Sequence, residues 1–179
     1  MNEVPQAREE PTSWLVNLCS GEEEGRLQLV LFRVAEAPMA VPVAQVEYVE
    51  RLGPLTQVPG APPFLRGVTS LRGQVVPIVD LAERLGLGSR PLGPKARVLV
   101  VRVDDQVVGM AVDDVLRVLY LSEDAVQPPP PVVARVSARF LAGVAYIQGD
   151  VVLVLNLQRV LTPEEAETVR EARQAMQEG

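Results

Sequence analysis

The sequence predicts an all-β protein built as two small barrels packed together, and three observations carry that prediction. Apolar residues make up 47% of the 179-residue chain but aromatics only 4%, so Val and Leu dominate. Such side chains pack well on a pleated surface. The apolar runs are short and bounded by Pro, Gly and Asp, as strands joined by turns are. Finally, two stretches repeat at one fixed offset. Phe64-Leu65-Arg66-Gly67-Val68 through Val76 aligns with Phe140-Leu141-Ala142-Gly143-Val144 through Val152, and Leu81 with Leu157. Upstream, Val43, Val46 and Val49 match Val112, Val115 and Val118. Each copy offers about five strands, which curl readily into a barrel without exposed edges.

The elements follow in chain order. Residues 1–26 read as a leader, with Pro5, Pro11, Gly21, Gly25 and the acidic run Glu22-Glu23-Glu24. Within it Trp14-Leu15-Val16 and Leu18-Cys19 are apolar, suited to a short segment docked on the barrel surface. Strands are predicted over Leu27–Val34 and, after a turn at Ala35–Pro38, over Met39–Val49. Pro54, Pro59, Gly60, Pro62 and Pro63 then mark a loop. Gly67–Leu71 and Gln74–Val79 form a hairpin around Arg72-Gly73. Asp80 and Glu83 have capping-box spacing for a short helix through Leu85, ended by Gly86. A second hairpin joins Arg97–Val103 to Val107–Val112 around Asp104-Asp105, and a strand covers Val115–Leu121.

Pro128–Pro131 reads as a stiff spacer. The last hairpin joins Gly143–Ile147 to Val151–Leu155. Thr162-Pro163-Glu164-Glu165 then starts a helix over 163–179, whose apolar positions Ala166, Val169, Ala172 and Met176 form a thin stripe suited to surface packing.

Composition excludes several function classes. A net charge of -6 with one lysine, Lys95, disfavours nucleic acid and a polybasic membrane anchor. One cysteine, Cys19, allows no intramolecular disulfide and fits a reducing, cytoplasmic compartment. No run approaches the ~20 apolar residues of a transmembrane helix, and no secretory signal opens the chain. With no histidine, a Ser-His or Cys-His pair and a conventional zinc site are excluded. No metal, cofactor or catalytic residue is expected. Asp80 and Asp113 fit capping and turn hydrogen bonds better than acid-base chemistry.

The segment Pro59-Gly60-Ala61-Pro62-Pro63-Phe64-Leu65-Arg66-Gly67-Val68-Thr69-Ser70-Leu71-Arg72-Gly73-Gln74-Val75-Val76-Pro77-Ile78-Val79-Asp80-Leu81 resembles the CheW family, as do Val108-Gly109-Met110-Ala111-Val112-Asp113-Asp114-Val115 and Phe140-Leu141-Ala142-Gly143-Val144. The resemblance spans about Leu27 to Leu161. It implies two SH3-like five-stranded barrels in a domain over 27–162. It also implies a non-enzymatic adaptor that joins the regulatory domain of the histidine kinase CheA to the cytoplasmic tips of methyl-accepting receptors. Partner-binding candidates are then Val43, Val46, Tyr48, Gly67 and Arg72. Arg72 sits at a hairpin tip, where a guanidinium reaches a partner carboxylate. Val46 and Gly67 fall on family positions linked to receptor binding and coupling, and Gly67 also suits a special torsion or a close backbone approach. Val43, Val46 and Val49 are spaced three apart, which needs a bulge or bend in a strand.

The chain departs from the family at Met39-Ala40 (often Tyr-Gly), Tyr48 (often Glu) and Ser70 (usually Asn). Tyr48 points to a divergent array or another chemosensory pathway, such as one controlling surface motility. The competing readings are a small-ligand or nucleic-acid-binding barrel, which the few aromatics and negative charge disfavour, and an enzyme, for which no coherent set of polar groups is present.

Overall fold

In a computed structural model of the chain, the structure describes residues 26–129 and 139–178. Trp14, Cys19, Pro130, Pro131 and Gly179 lie outside the described residues. Of the leader, only Arg26 lies within them, as the first residue of a strand.

The first hairpin joins β1 (Arg26–Val34) to β2 (Ala37–Pro42). Its turn is the two residues Ala35 and Glu36, both at positive φ, which suits the twist of the flanking strands. The strand expected over Met39–Val49 is in fact two. A 3₁₀ turn at Val43–Gln45 separates β2 from β3 (Val46–Arg51), because β2 and β3 belong to different sheets. A single straight strand cannot cross between them.

The hairpin of β4 (Leu65–Leu71) and β5 (Gln74–Asp80) leads into the one-turn helix α1 (Leu81–Arg84). The Asp80 side chain accepts the Glu83 backbone N–H at 3.2 Å. Gly86 ends the turn at φ +81. Next come β6 (Arg97–Val103), β7 (Gln106–Val112) and β8 (Asp114–Ser122). After the two-residue β9 (Val126–Gln127), β10 (Leu141–Ile147) and β11 (Asp150–Leu155) form the last hairpin, and α2 (Pro163–Glu178) ends the fold. The tips Arg72-Gly73 and Gln148-Gly149 share one backbone geometry, with φ of +50 and +81 against +53 and +85.

Two sheets result, ordered β8-β1-β2-β11-β10-β9 and β3-β6-β7-β5-β4. They match strand for strand, with β3, β6, β7, β5 and β4 equivalent to β8, β1, β2, β11 and β10. The two barrels are not consecutive halves of the chain. The second is one continuous run, inserted between β2 and β8 of the first. The equivalence reaches single bonds. Phe64 O accepts the Asp80 N–H at 2.7 Å, and Phe140 O accepts the Asn156 N–H at 2.9 Å.

Three apolar clusters hold this together. Leu27, Leu29, Leu31, Ala145, Val152 and Val154 fill the first barrel. Leu71, Val76, Ile78, Val98, Val100 and Ala111 fill the second. The third and largest lies between the barrels and includes Val30, Phe32, Val34, Met39, Val41, Leu99, Val101, Met110 and Leu155. Successive side chains on a strand face opposite sides. In β1 the odd positions therefore fill a barrel and the even ones the space between barrels. Burial on both faces explains why these strands read as unbroken Val/Leu runs rather than alternating ones.

Helix α2 contributes more than the surface packing expected of it, since Ala166 and Val169 join the shared core. Its start is a reciprocal capping box. Thr162 Oγ1 accepts from Glu165 N at 3.0 Å, and Glu165 Oε1 accepts from Thr162 N at 2.8 Å. Arg84 ties α1 to this end of the chain. It donates to Val160 O at 2.8 Å and to Glu165 Oε1 at 2.9 Å. Its guanidinium also lies 5.8 Å and 5.7 Å from the rings of the equivalent Phe64 and Phe140. Among the described residues no helix is long and apolar enough to cross a membrane.

Phe32 is fully buried in the shared core. Phe32→Ala should therefore cost about 3–5 kcal/mol, as large cavities in cores do. A urea titration checks this; a loss under ~1 kcal/mol would mean the two barrels do not depend on their common core.

Candidate protein-docking site

Tyr48 and Arg72, far apart in sequence, are brought together. The Arg72 guanidinium sits 3.7 Å from the centroid of the Tyr48 ring. Two local features place them. At the β4–β5 tip the Arg72-Gly73 turn holds Arg72 out of the sheet, exposed. In β3 a bulge re-aims Tyr48. Val46 pairs with Val101 and Tyr48 with Val100, so Glu47 is an extra residue in the ladder. The bulge turns Val46 toward the shared core, with Val101, and Tyr48 toward the second barrel's own core, with Val100. Glu47 points outward and pairs with Arg102 at 2.9 Å.

A cation–π contact whose guanidinium stays in water, as Arg72 does, is worth roughly 0.5–1 kcal/mol. That is too little for a main role in stability. Its effect is to fix a guanidinium that would otherwise sample many rotamers.

Gly67 serves the fold directly. Its φ is +146, and a Cβ there would lie 2.5 Å from Thr56 O. Thr56 and Val68 exchange two backbone hydrogen bonds of 2.9 Å. The loop after β3 thus lies along β4 and closes the second barrel, and only glycine allows that approach. Gly143 does the same in the first barrel, where a Cβ would lie 2.8 Å from Gln127 O of β9.

Val43 and Val46 are half-buried and pack against the shared core. They are not beside Tyr48 and Arg72. The spacing of three that a straight strand could not explain is met by the 3₁₀ turn and the bulge, which leave Val49 exposed. The five sequence candidates therefore divide into a contacting pair, the half-buried Tyr48 under the exposed Arg72, a hinge for barrel closure (Gly67) and two half-buried positions at the shared core (Val43, Val46).

The acidic candidates are occupied by structural bonds. Asp80 accepts from Arg66 Nε at 2.9 Å as well as capping α1, and Arg66 also donates to Arg90 O. Asp113 accepts the Ala35 N–H at 2.6 Å. A polar cleft of about 680 Å³ is lined by Arg102, Asp104, Asp105, Asn156, Gln158 and Arg159, with no nucleophile–base pair among them. Among the described residues no cluster of three or more Cys, Asp or Glu could hold a metal ion.

One surface was missed by the sequence reading. Leu116, Val118 and Tyr120 of β8 are exposed, as are Tyr146 and Val151, opposite each other on β10 and β11. All belong to the first barrel. The available signal was β8 itself, which is apolar at both parities, so that the face carrying Leu119 and Leu121 packs on the first barrel while Val118 and Tyr120 are left exposed.

Fold and surface define a class: a two-barrel β protein with an arginine ordered on a half-buried tyrosine at its surface. The comparisons place it within that class. The family model described as "CheW-like domain" matches residues 28–165, and this chain belongs to that family. It is 32% identical over 146 residues to the probable chemotaxis protein CheW of Rhizobium etli, covering 80% of this chain and 93% of the relative. It is 34% identical over 132 residues to protein FrzA of Myxococcus xanthus, covering 73% and 82%. The crystal structure of the scaffolding protein TtCheW from Thermoanaerobacter tengcongensis matches with a TM-score of 0.69 at 29% identity, over 75% of this chain and 91% of that one.

Gly67→Ala should destabilise the protein by more than the ~1–2 kcal/mol of a left-handed torsion, because the methyl group also meets Thr56 O. Gly73→Ala, where a Cβ meets nothing within 4 Å, should cost only the torsion. Thermal denaturation of the two variants separates these cases, and equal losses would refute the closure role of Gly67.

Proposed function

We propose that this chain is a non-enzymatic scaffold that couples methyl-accepting chemoreceptors to the regulatory domain of a CheA-type histidine kinase. Simultaneous attachment of both fixes their geometry, so that receptor state biases kinase activity through linkage. The work is done by surfaces, without a cofactor or nucleic acid. The protein would act in the cytoplasm and reach membrane arrays through its partners. In this reading residues 27–162 form the docking domain, 1–26 a leader, and the segment from 163 carries the helix Pro163–Glu178 that completes the shared core.

The observation that carries the reading is the pre-ordered Tyr48–Arg72 pair, a half-buried ring under an exposed guanidinium, on a chain of the CheW-like family. An aromatic ring beside an arginine is the composition typical of binding hot spots. Tyr48, where the family often has Glu, replaces a charge with a flat apolar face. That favours a receptor tip or kinase surface matched to an aromatic–cation pair, as in a divergent chemosensory pathway. Val43 and Val46 would act from beneath, by holding β3 in position.

The test is affinity capture with the kinase regulatory domain and receptor tips from the same organism. Arg72→Glu and Tyr48→Ala should each weaken at least one partnership by ~30-fold, the scale of a 2 kcal/mol hot spot, while the circular dichroism spectrum stays native. Unchanged affinity for both partners would remove this pair from the docking surface.

A further inference from the structure

β3 carries one residue too many, and two pins hold the surplus at Glu47. Downstream of the bulge, Tyr48–Arg51 are fixed by pairing with Val100–Arg97 of β6. Upstream lies Gln45, the last residue of the 3₁₀ turn by which the chain crosses from the first barrel to the second, and only 3% exposed. Its side-chain amide reaches back to the first barrel. Gln45 Oε1 accepts the Leu157 N–H at 2.9 Å, and Gln45 Nε2 donates to Asn156 Oδ1 at 2.8 Å. Asn156 Oδ1 also accepts the Gln158 N–H at 3.1 Å. A backbone N–H only donates, so these two fix the orientation of both amides. Gln45 clips the entry of β3 to the 3₁₀ turn Leu157–Arg159 that follows β11.

Between the pins stand Val46 and Glu47, opposite a single ladder position, Val101. One of the two must stay out of the ladder. As the strand stands, Val46 opposes Val101 and faces the shared core, while Glu47 points out to Arg102. In a regular ladder Glu47 would oppose Val101, and Val46 would move opposite Arg102, turned away from the shared core. Burial gives this choice a small margin, since Val46 is half-buried and β3 is an edge strand. The Glu47–Arg102 ion pair, exposed on both sides, adds little. The buried amide is the stronger constraint, because a shift at Gln45 leaves the Leu157 N–H without a partner and away from water. The first barrel meets the same need with other chemistry. In β8, Val115 pairs with Phe32 and Arg117 with Leu31, so Leu116 bulges and Arg117 is the counterpart of Tyr48. Its upstream pin is Asp113, whose Oδ2 accepts the Ala35 N–H at 2.6 Å. The counterparts of Gln45 and Asn156 are Asp114 and Asp80, two carboxylates that can only accept, and Asp80 takes Arg66 instead. The amide clip is confined to the entry of β3, the strand that carries the docking candidates Val46 and Tyr48.

We propose that Gln45 is a positioning residue of the docking surface: its amide, clipped to the first barrel, keeps β3 bulged, which holds Val46 on the shared core and turns Glu47 outward. The inference rests on the reading of β3 as a docking strand and names what sets its shape. Gln45 is buried and out of a partner's reach, so it acts through the two residues that follow it. A surplus residue released at Gln45 leaves by the upstream end. Val46 is therefore the residue that moves, and Tyr48, paired downstream with Val100, is the reference against which its shift is read.

Nuclear Overhauser contacts in the full-length chain read the ladder directly. The parent protein should show cross-strand contacts of Val46 with Val101 and of Tyr48 with Val100. In Gln45→Leu the contact to Val101 should pass from Val46 to Glu47, while that of Tyr48 with Val100 remains. Gln45→Asn, a milder change whose shorter amide cannot span both bonds, should do the same, and covers the case in which Gln45→Leu does not fold. Asn156→Asp keeps an acceptor for Gln45 and should retain the Val46–Val101 contact even where its buried carboxylate lowers the thermal midpoint. Affinity for receptor tips should fall roughly tenfold in the Gln45 variants and be retained in Asn156→Asp. A Val46–Val101 contact that survives the loss of the Gln45 amide would overturn the proposal, as would its disappearance in Asn156→Asp. An altered ladder with unaltered affinity for receptor and kinase would sustain the positioning and count against the docking reading on which it rests.

Discussion

The structure depends on burial of both faces of its central strands. A five- or six-stranded barrel of this size encloses little apolar volume, and a domain built on one would be marginal. Here β1, β2, β6 and β7 each fill a barrel with one set of residues and the space between barrels with the other. Removal of apolar surface from water stabilises by roughly 25 cal/mol per Å², so a shared core that recruits both barrels and α2 outweighs either private one. The interleaved chain path follows the same logic. The first barrel uses strands from both ends of the chain, so neither barrel is a contiguous unit that could separate at a linker.

Much of this was legible because the signals were local or internal to the chain. The hairpins at Arg72-Gly73, Asp104-Asp105 and Gln148-Gly149 lie where the apolar runs break. The Thr162–Glu165 box starts α2, and the repeat between Phe64–Val76 and Phe140–Val152 holds down to equivalent backbone bonds. What failed was also physical. The break between β2 and β3 has no Gly or Pro inside it, since Val43–Gln45 leaves the strand to change sheets, a tertiary demand. The contribution of α2 to the core was underread because two small residues, Ala166 and Val169, are enough at a close approach. Strand interleaving was invisible, because a repeat reports similarity and not which strands pair.

The candidate site was legible in a different measure. Tyr48 and Arg72 could be named one at a time, but their contact could not, because it depends on a bulge at Glu47 and on barrel closure near Gly67. Gly67 was read correctly as a close backbone approach. The same geometry holds the loop that follows β3 along β4, through the Thr56–Val68 hydrogen bonds. The spacing of Val43, Val46 and Val49 announced an irregularity in the strand without revealing its form.

Divergence between the copies is the remaining clue, and it is selective. Positions that close the barrels are kept: Gly67 with Gly143, Phe64 with Phe140, and the capping Asp80 with Asn156, whose side chain likewise accepts a backbone N–H, from Gln158 at 3.1 Å. Positions at the barrel mouth and on the hairpins are not: Tyr48 becomes Arg117, Arg72 becomes Gln148, Ser70 becomes Tyr146 and Gln74 becomes Asp150. If stability alone shaped the copies, the exposed hairpins would drift without pattern and apolar residues would be shed from both. Instead the exposed tyrosines among the described residues, Tyr120 and Tyr146, both lie on the first barrel, while the cation ordered on the half-buried Tyr48 lies on the second. Two surfaces of different chemistry on one fold can discriminate between ligands, whereas two identical ones would compete for the same one.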